Sequence, residues 1–355
     1  MICLPPAKQL RRRQRLKRIA LLGASLGLGL LLAELGVRWF VRARNVGPSF
    51  VVYDRDYGRR LKKSASFTSV SHEFRFRVTT NSLGFRDPEW PTPPTGVLLF
   101  LGDSFTMGYA VNDGEEFPRL IEAALADRRE EERLPVFNAG IGNAGNGHWL
   151  KFLRRETPRL EPRTVVFQVA PNDFRDNVRE RLFTLSPSGS LQEHMAPPPG
   201  WIWKAQRMAE ALPGISYSHL FGLIKRTALR AIRSPPASRL PMSTSSTDAS
   251  SAQAQAKFQQ AEMLTFALIH EALDLCKQKD WPAILLNVGI EGSLLDQLQE
   301  VCAEFQVPLL DAPRKKQRPD LHYKIDGHWN RLGHRHIAEL LLPQVIAASR
   351  FGETK

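Results

Sequence analysis

Four short stretches of this chain hold side chains that could act together on an acyl group. In GDSF (102–105) a serine hydroxyl, Ser104, follows an apolar run and an acidic residue. In DGHWN (326–330) an imidazole, His328, follows a carboxylate, Asp326, by two positions, with Gly327 allowing the bend between them. A neutral imidazole hydrogen-bonded to a hydroxyl can take its proton as attack begins, and a carboxylate on the other ring nitrogen fixes the tautomer. A tetrahedral oxyanion then needs preorganised donors. Candidates are the Ser104 N–H at a helix start, an N–H of the Gly142–Asn143 turn in NAGIGNAGNG (138–147), and the side-chain amide of Asn172 in APND (170–173). Each residue alone has a bland reading: Ser104 or Asp103 as a helix cap, Asn172 or Asp173 as a turn former, His328 as a structural histidine. Trp329 is expected to pack and Asn330 to cap the last helix.

What argues for chemistry is where the four stretches fall. GVLLFLG (96–102), PVFNAG (135–140), TVVFQVA (164–170), AILLNVG (283–289) and VPLLDA (307–312) are short continuous apolar runs. Helical patterns lie between or after them at about 115–129, 146–157, 254–279, 292–305 and 331–348. Such alternation predicts an α/β fold with a five-stranded parallel sheet covered on both faces. In an open parallel sheet ligands bind beyond the carboxyl ends of the strands. The hydroxyl, the amide-rich turn, the Asn172 amide and the Asp326/His328 pair all follow strand ends, so they converge on one rim.

The interval 186–253 breaks the alternation with APPPGW, a helical pattern in SHLFGLIKRTALRAIR and a Pro/Ser/Thr-rich tract. It reads as an insertion over the edge or mouth of the sheet, its helix packing on the domain, covering an entrance or touching a membrane surface. Residues 46–95 read as an irregular lead-in, with strand-like alternation in HEFRFRVTT and a turn in NSLGFRD.

The formal net charge of +13 is local. Residues 1–45 hold ten Lys/Arg against Glu34 alone, leaving +4 for the remainder. A basic excess beside an apolar run is a topology signal, so nucleic acid is set aside as a partner. As a helix, Ile19–Val41 would span about 34 Å, enough for a bilayer core. Glu34 and Arg38, one turn apart, can pair near its far end. A cleaved signal peptide is the rival reading. No well-placed pair of small residues follows the run, which favours an uncleaved single-pass anchor with its basic tail (1–18) in the cytoplasm and the rest in the periplasm or outside. Cys276 and Cys302 fall in helical patterns of that exported part and are expected as separate buried thiols; Cys3 lies in the basic tail. No metal-type spacing is present, and His334 and His336, two apart, face different sides of a helix.

GDSFTMGYAVND, NAGIGNAG, APND and DGHWN resemble, in order and separation, blocks I, II, III and V of the SGNH (GDSL-type) hydrolase superfamily, over roughly residues 75–348. NSLGFRD and the basic anchor resemble its membrane-anchored bacterial members. The resemblance implies a flavodoxin-like three-layer α/β/α sandwich and metal- and cofactor-independent ester hydrolysis or acyl transfer. It implies Ser104 as nucleophile, His328 as base, Asp326 as its orienter, and Asn172 with the block II amide as oxyanion hole. Asn143 stands where glycine is usual, block III has Ala-Pro in place of Gly-x, and block V is Asp-x-His, a variant seen in polysaccharide acetyltransferase relatives. The expected substrate is an acylated small molecule or envelope glycan; an idle SGNH-like binding module is the alternative.

Overall fold

The five apolar runs form one parallel sheet. The computed structural model describes residues 7–41, 46–90, 92, 94–128, 133–212, 214–233 and 249–350. After helix α1 (Ala7–Phe40) come two antiparallel hairpins, β1 (Val51–Asp54) with β2 (Gly58–Leu61) and β3 (Ala65–Val70) with β4 (Arg75–Thr80). Then follow β5 (Leu98–Leu101), α2 (Ser104–Met107), α3 (Phe117–Ala126), β6 (Val136–Asn138), α4 (Asn146–Leu160), β7 (Thr164–Val169) and α5 (Asn172–Glu180). A third hairpin, β8 (Phe183–Leu185) with β9 (Leu191–Glu193), leads to α6 (Trp201–Glu210) and α7 (His219–Arg233). The chain ends in α8 (Ala249–Gln278), β10 (Ala283–Asn287), α9 (Ser293–Glu304), β11 (Leu309–Asp311) and α10 (Arg331–Arg350).

The sheet order is β11-β10-β7-β5-β6, and every pairing within it is parallel. Counted along the chain that is 2-1-3-4-5 read from the β6 edge, the flavodoxin-like order, with its switch point between β5 and β7. Successive residues of a strand face opposite sides. Leu99 and Leu101 therefore pack with Trp149 and Phe152 of α4, Ile269 and Leu273 of α8 and Leu298 of α9. Leu98 and Phe100 pack on the other side with Phe117 and Ile121 of α3 and Leu341 and Val345 of α10. Both faces of β5 are fully buried, which is why its sequence is continuously apolar. Each such large side chain contributes roughly 1.5–3 kcal/mol.

The lead-in is more ordered than its sequence pattern suggested. Its two hairpins are followed by the NSLGFRD turn, in which the Asn81 carboxamide oxygen accepts the N–H groups of Leu83 and Phe85. A Cβ on Gly84, at φ +86°, would lie 2.9 Å from the Leu61 carbonyl, so this turn requires glycine. In the 186–253 interval, α7 starts where its pattern predicted, whereas α6 had no sequence counterpart. Helix α7 packs against α1 and against Val46, and the Gly47 N–H donates to the Ser216 carbonyl. Most of the Pro/Ser/Thr-rich tract, and Cys3, lie outside the described residues. Cys276 and Cys302 are buried free thiols, pushed up to about 12 by burial.

Candidate active site

Ser104 is the first residue of α2, immediately beyond β5, and it is not the cap. Asp103 is: its carboxylate accepts the Phe105 N–H at 2.9 Å while its own N–H donates to Gln168 at 2.9 Å. Two glycines let this turn sit deep between β5 and β6. A Cβ on Gly102 would lie 2.1 Å from the Thr106 hydroxyl, and one on Gly140 would lie 2.3 Å from the Met107 nitrogen. Asn138, at the end of β6, donates to the Thr106 carbonyl at 3.1 Å and fixes α2 from below.

His328 reaches Ser104 from the far side of the rim, with Nε2 to Oγ at 2.8 Å. Its Nδ1 meets the Asp326 carboxylate. Gly327, at φ +92°, makes the bend that lets an Asp-x-His spacing close on itself. The loop is pinned at its base, where the Tyr323 N–H donates to the His328 carbonyl at 2.9 Å and the Asn330 N–H to the Leu321 carbonyl at 2.9 Å. The imidazole is held between the rings of Phe105 and Tyr109, at centroid distances of 4.8 and 4.7 Å. As expected, Trp329 is buried and Asn330 caps α10, accepting the Gly333 N–H at 3.0 Å.

The Gly142–Asn143 turn passes over Ser104: a Cβ on Gly142 would lie 3.8 Å from the Ser104 Cβ. Asn143 adopts φ +56°, a left-handed conformation that asparagine tolerates better than other non-glycine residues. Two arginines hold the turn by its carbonyls. Arg59 of β2 donates to Gly142 O at 3.1 Å, and Arg179 of α5 donates to Asn143 O at 2.6 Å. In a trans peptide the carbonyl and the next N–H point in opposite directions, so Arg59 turns the Asn143 N–H away from itself. Glu180 closes the network, pairing with Arg59 at 2.9 Å and accepting the Gly145 N–H at 3.2 Å.

Asn172 at the start of α5 has partners of its own. Its amide donates to the carboxylates of Asp103 at 2.9 Å and Asp176 at 3.2 Å. Both N–H bonds are thus spent on a buried acidic cluster that also includes Asp173, which accepts the Ala170 N–H and the Asn146 amide. Burial drives Asp103 and Asp173 above the usual carboxylate range, Asp173 the further because of the charge of Asp103. The Asn172 amide is thus engaged within that cluster.

Sequence reasoning missed the lead-in's part in the site. Besides Arg59, the buried Arg86 donates to the carbonyls of Met107, the last residue of α2, and of Gly108 and Val111 just beyond it, and the Asp87 carboxylate accepts the Asn138 N–H. Glu73, in the turn between β3 and β4, accepts the N–H of Asp326 itself at 2.9 Å. The buried histidines outside the loop are structural: His148 packs against Tyr57, and His334 accepts the Phe117 N–H. Burial holds both at about 3. Among the described residues no group of side chains could hold a metal ion.

No protein-family model matches the chain, and no curated protein matches it. Solved structures similar to it include a psychrotrophic esterase, EstA, from Pseudoalteromonas sp., at 11% identity and TM-score 0.36, over 71% of this chain and 93% of that one. TesA aligns at 14% identity and TM-score 0.39, over 71% of this chain and 99% of that one. A two-domain esterase active on acetylated mannans aligns at 10% identity and TM-score 0.38, over 72% of this chain and 51% of that one. Strand order and helix layers give this protein a flavodoxin-like α/β/α fold, with GDSF, NAGIGN, APND and DGHWN following one another along the chain.

Proposed function

We propose that this chain is a serine ester hydrolase or O-acyltransferase of the SGNH type, working through an acyl-enzyme on Ser104. The observation that carries the reading is the continuous array from the Ser104 hydroxyl through His328 to the Asp326 carboxylate, 224 residues apart in sequence and in hydrogen-bond contact. Ser104 Oγ attacks the acyl carbon and its proton passes to His328 Nε2. The tetrahedral intermediate collapses, the ester C–O bond breaks, and His328 returns the proton to the leaving alkoxide. Water, or the hydroxyl of an acceptor sugar, then gives its proton to His328 and attacks the acyl carbon, and Ser104 recovers its proton on collapse. The substrate class that suits the site's proposed position outside the membrane is an acylated envelope glycan or a lipid-linked acyl donor.

Anchoring belongs to the same proposal. Residues Arg13–Phe40 have the length and apolar composition of a membrane span, which a signal sequence would share. Support for retention comes from Glu34 of α1, whose carboxylate accepts the Ser218 hydroxyl at 2.8 Å and the N–H groups of His219 and Leu220 at 3.0 and 2.9 Å. It pairs with Arg38 at 2.7 Å, as expected, and caps the first turn of α7. A cleaved leader would take this cap with it.

The test is labelling of the detergent-solubilised full chain by a fluorophosphonate, and turnover of p-nitrophenyl acetate, beside Ser104→Ala and His328→Ala. Both signals are expected in wild type and neither in the variants. A folded wild type that is not labelled would move the assignment to an idle binding module, a reading favoured by the engagement of Asn172 with two carboxylates.

A further inference from the structure

We infer that Glu73, in the hairpin turn of the lead-in, is a positioning residue that holds the Asp326–His328 loop in its working geometry; the inference rests on the acyl-enzyme reading above. The carboxylate of Glu73 accepts the Ile325 N–H with both oxygens, at 2.9 Å each, and the Asp326 N–H at 2.9 Å. It thus fixes the backbone of the residue whose own carboxylate orients His328. The excursion from Leu321 to Asn330 is tied at its base, and the Lys324 carbonyl accepts the Lys315 ammonium, but Gly327 at its tip has no heavy atom within 4 Å of where a Cβ would stand. A loop with an unsupported glycine tip needs an external restraint to hold a carboxylate in hydrogen-bond register with an imidazole.

Glu73 is itself held. The Ser71 hydroxyl accepts the N–H groups of Glu73 and Phe74 at 3.0 and 3.1 Å, closing the turn. Phe74 is 7% exposed and packs edge-on against Tyr109 and Tyr323, at centroid distances of 5.8 and 4.9 Å. Tyr109 in turn lies against the His328 ring, and the Tyr323 hydroxyl donates to the Ala110 carbonyl at 3.0 Å. Phe74 seats the hairpin on the loop through apolar contact, and Glu73 adds two charge-assisted hydrogen bonds with fixed direction. Nothing in this arrangement brings Glu73 to the reacting atoms; it acts through Asp326.

The experiment compares wild type, Glu73→Ala, Glu73→Gln, Asp326→Asn and the double variant Glu73→Ala/Asp326→Asn, all as full chain in detergent. Three quantities are read: the second-order rate of fluorophosphonate labelling, kcat and KM for p-nitrophenyl acetate, and amide exchange over residues 323–328. Glu73→Ala is expected to slow labelling by about 10- to 100-fold through kcat, with KM changed less than about twofold, since misplacement by about 1 Å costs on that order. Glu73→Gln, which keeps one acceptor oxygen, is expected to recover part of the rate. In the Asp326→Asn background the Glu73→Ala loss should shrink to less than about threefold, because residues that act as a unit are not additive. Exchange at Ile325 and Asp326 should quicken whenever Glu73 is removed.

Labelling unchanged by Glu73→Ala, or an equal fold-loss in both backgrounds, would overturn the inference; the latter would mark Glu73 as merely structural. A wild type that resists the probe, yet whose exchange at Ile325 and Asp326 depends on Glu73, would overturn the ester-hydrolase reading and leave the backbone clamp standing.

Discussion

Replacing Arg59 by methionine should make the stability of this protein depend on pH in a direction the structure fixes. Arg59 is 23% exposed in its side chain and its partner Glu180 only 4%. Burial raises the Glu180 pKa, while Arg59 first and Arg179 second pull it back. With Arg59 gone, the remaining cation is Arg179 at 3.5 Å and the remaining donor is the Gly145 N–H at 3.2 Å. Breaking a buried pair from one side costs about 3–5 kcal/mol. With the exposed edge of Arg59 and the surviving Arg179 taken into account, about 3 kcal/mol is expected at pH 8. The sign follows from linkage: a carboxylate whose folded pKa lies above its unfolded value loses stability as pH rises past the unfolded value, at about 1.4 kcal/mol per unit of displacement. At pH 5 Glu180 can protonate in the variant, and only the lost hydrogen bond to Gly142 O remains, about 1 kcal/mol. Urea denaturation of variant and wild type, followed by tryptophan fluorescence at each pH, gives the two differences directly, and other titrating groups cancel between the proteins. Glu180→Gln in the Arg59→Met background should recover most of the loss at pH 8. The same variant frees the Gly142–Asn143 peptide, so fluorophosphonate labelling should slow by about tenfold even where the protein remains folded. A stability loss equal at pH 5 and pH 8, or no recovery with Glu180→Gln, would refute the reasoning.

Three further outcomes can be checked on the same preparation. His148 and His334 are held at about 3 by burial, against about 6.5 when unfolded, so the unfolded chain binds their protons first and stability is lost as pH falls below 6.5. Each should cost about 2 kcal/mol at pH 5, and a His148→Phe variant with the same decline as wild type between pH 7 and 5 would contradict this. Gly140→Ala should slow labelling by more than about 100-fold, because its Cβ would meet the α2 backbone at 2.3 and 2.7 Å, whereas Gly142→Ala, with only ordinary contacts, should stay within about threefold. Activity retained in Gly140→Ala would show that α2 can shift without harm. Glu34→Ala leaves the Ser218 hydroxyl and two N–H groups without their acceptor, so tryptic cleavage within α6 and α7 should quicken by about tenfold, for a loss of about 1–2 kcal/mol; unchanged cleavage would argue against the α1–α7 latch.

The parts of this molecule that could be read from sequence are those whose physics is local. Strands buried on both faces must be continuously apolar, so β5, β7 and β10 announce themselves, and the tight turn from β5 into α2 needs Gly102, two residues before Ser104. The engagement of Asn172 with acidic partners was not foreseen although a signal lay one turn away: Asp176 stands at i+4 on α5, where a side-chain amide is drawn to a carboxylate. Arg59 and Glu73 carried no local signal at all. They sit in short strands and turns without apolar periodicity, and their partners are 83 and 253 residues further along the chain. The division follows from what each group must do. Reacting groups have fixed chemical identities and keep fixed company along the chain, whereas the restraints on them need only a charge of the right sign at the right place, which many positions can supply. Between the β1–β2 and β3–β4 hairpins, this chain places one cation on the block II turn and one anion on the Asp326 loop. On the proposed reading, the sheet supplies the reacting groups and the lead-in supplies the constraint that turns their proximity into register.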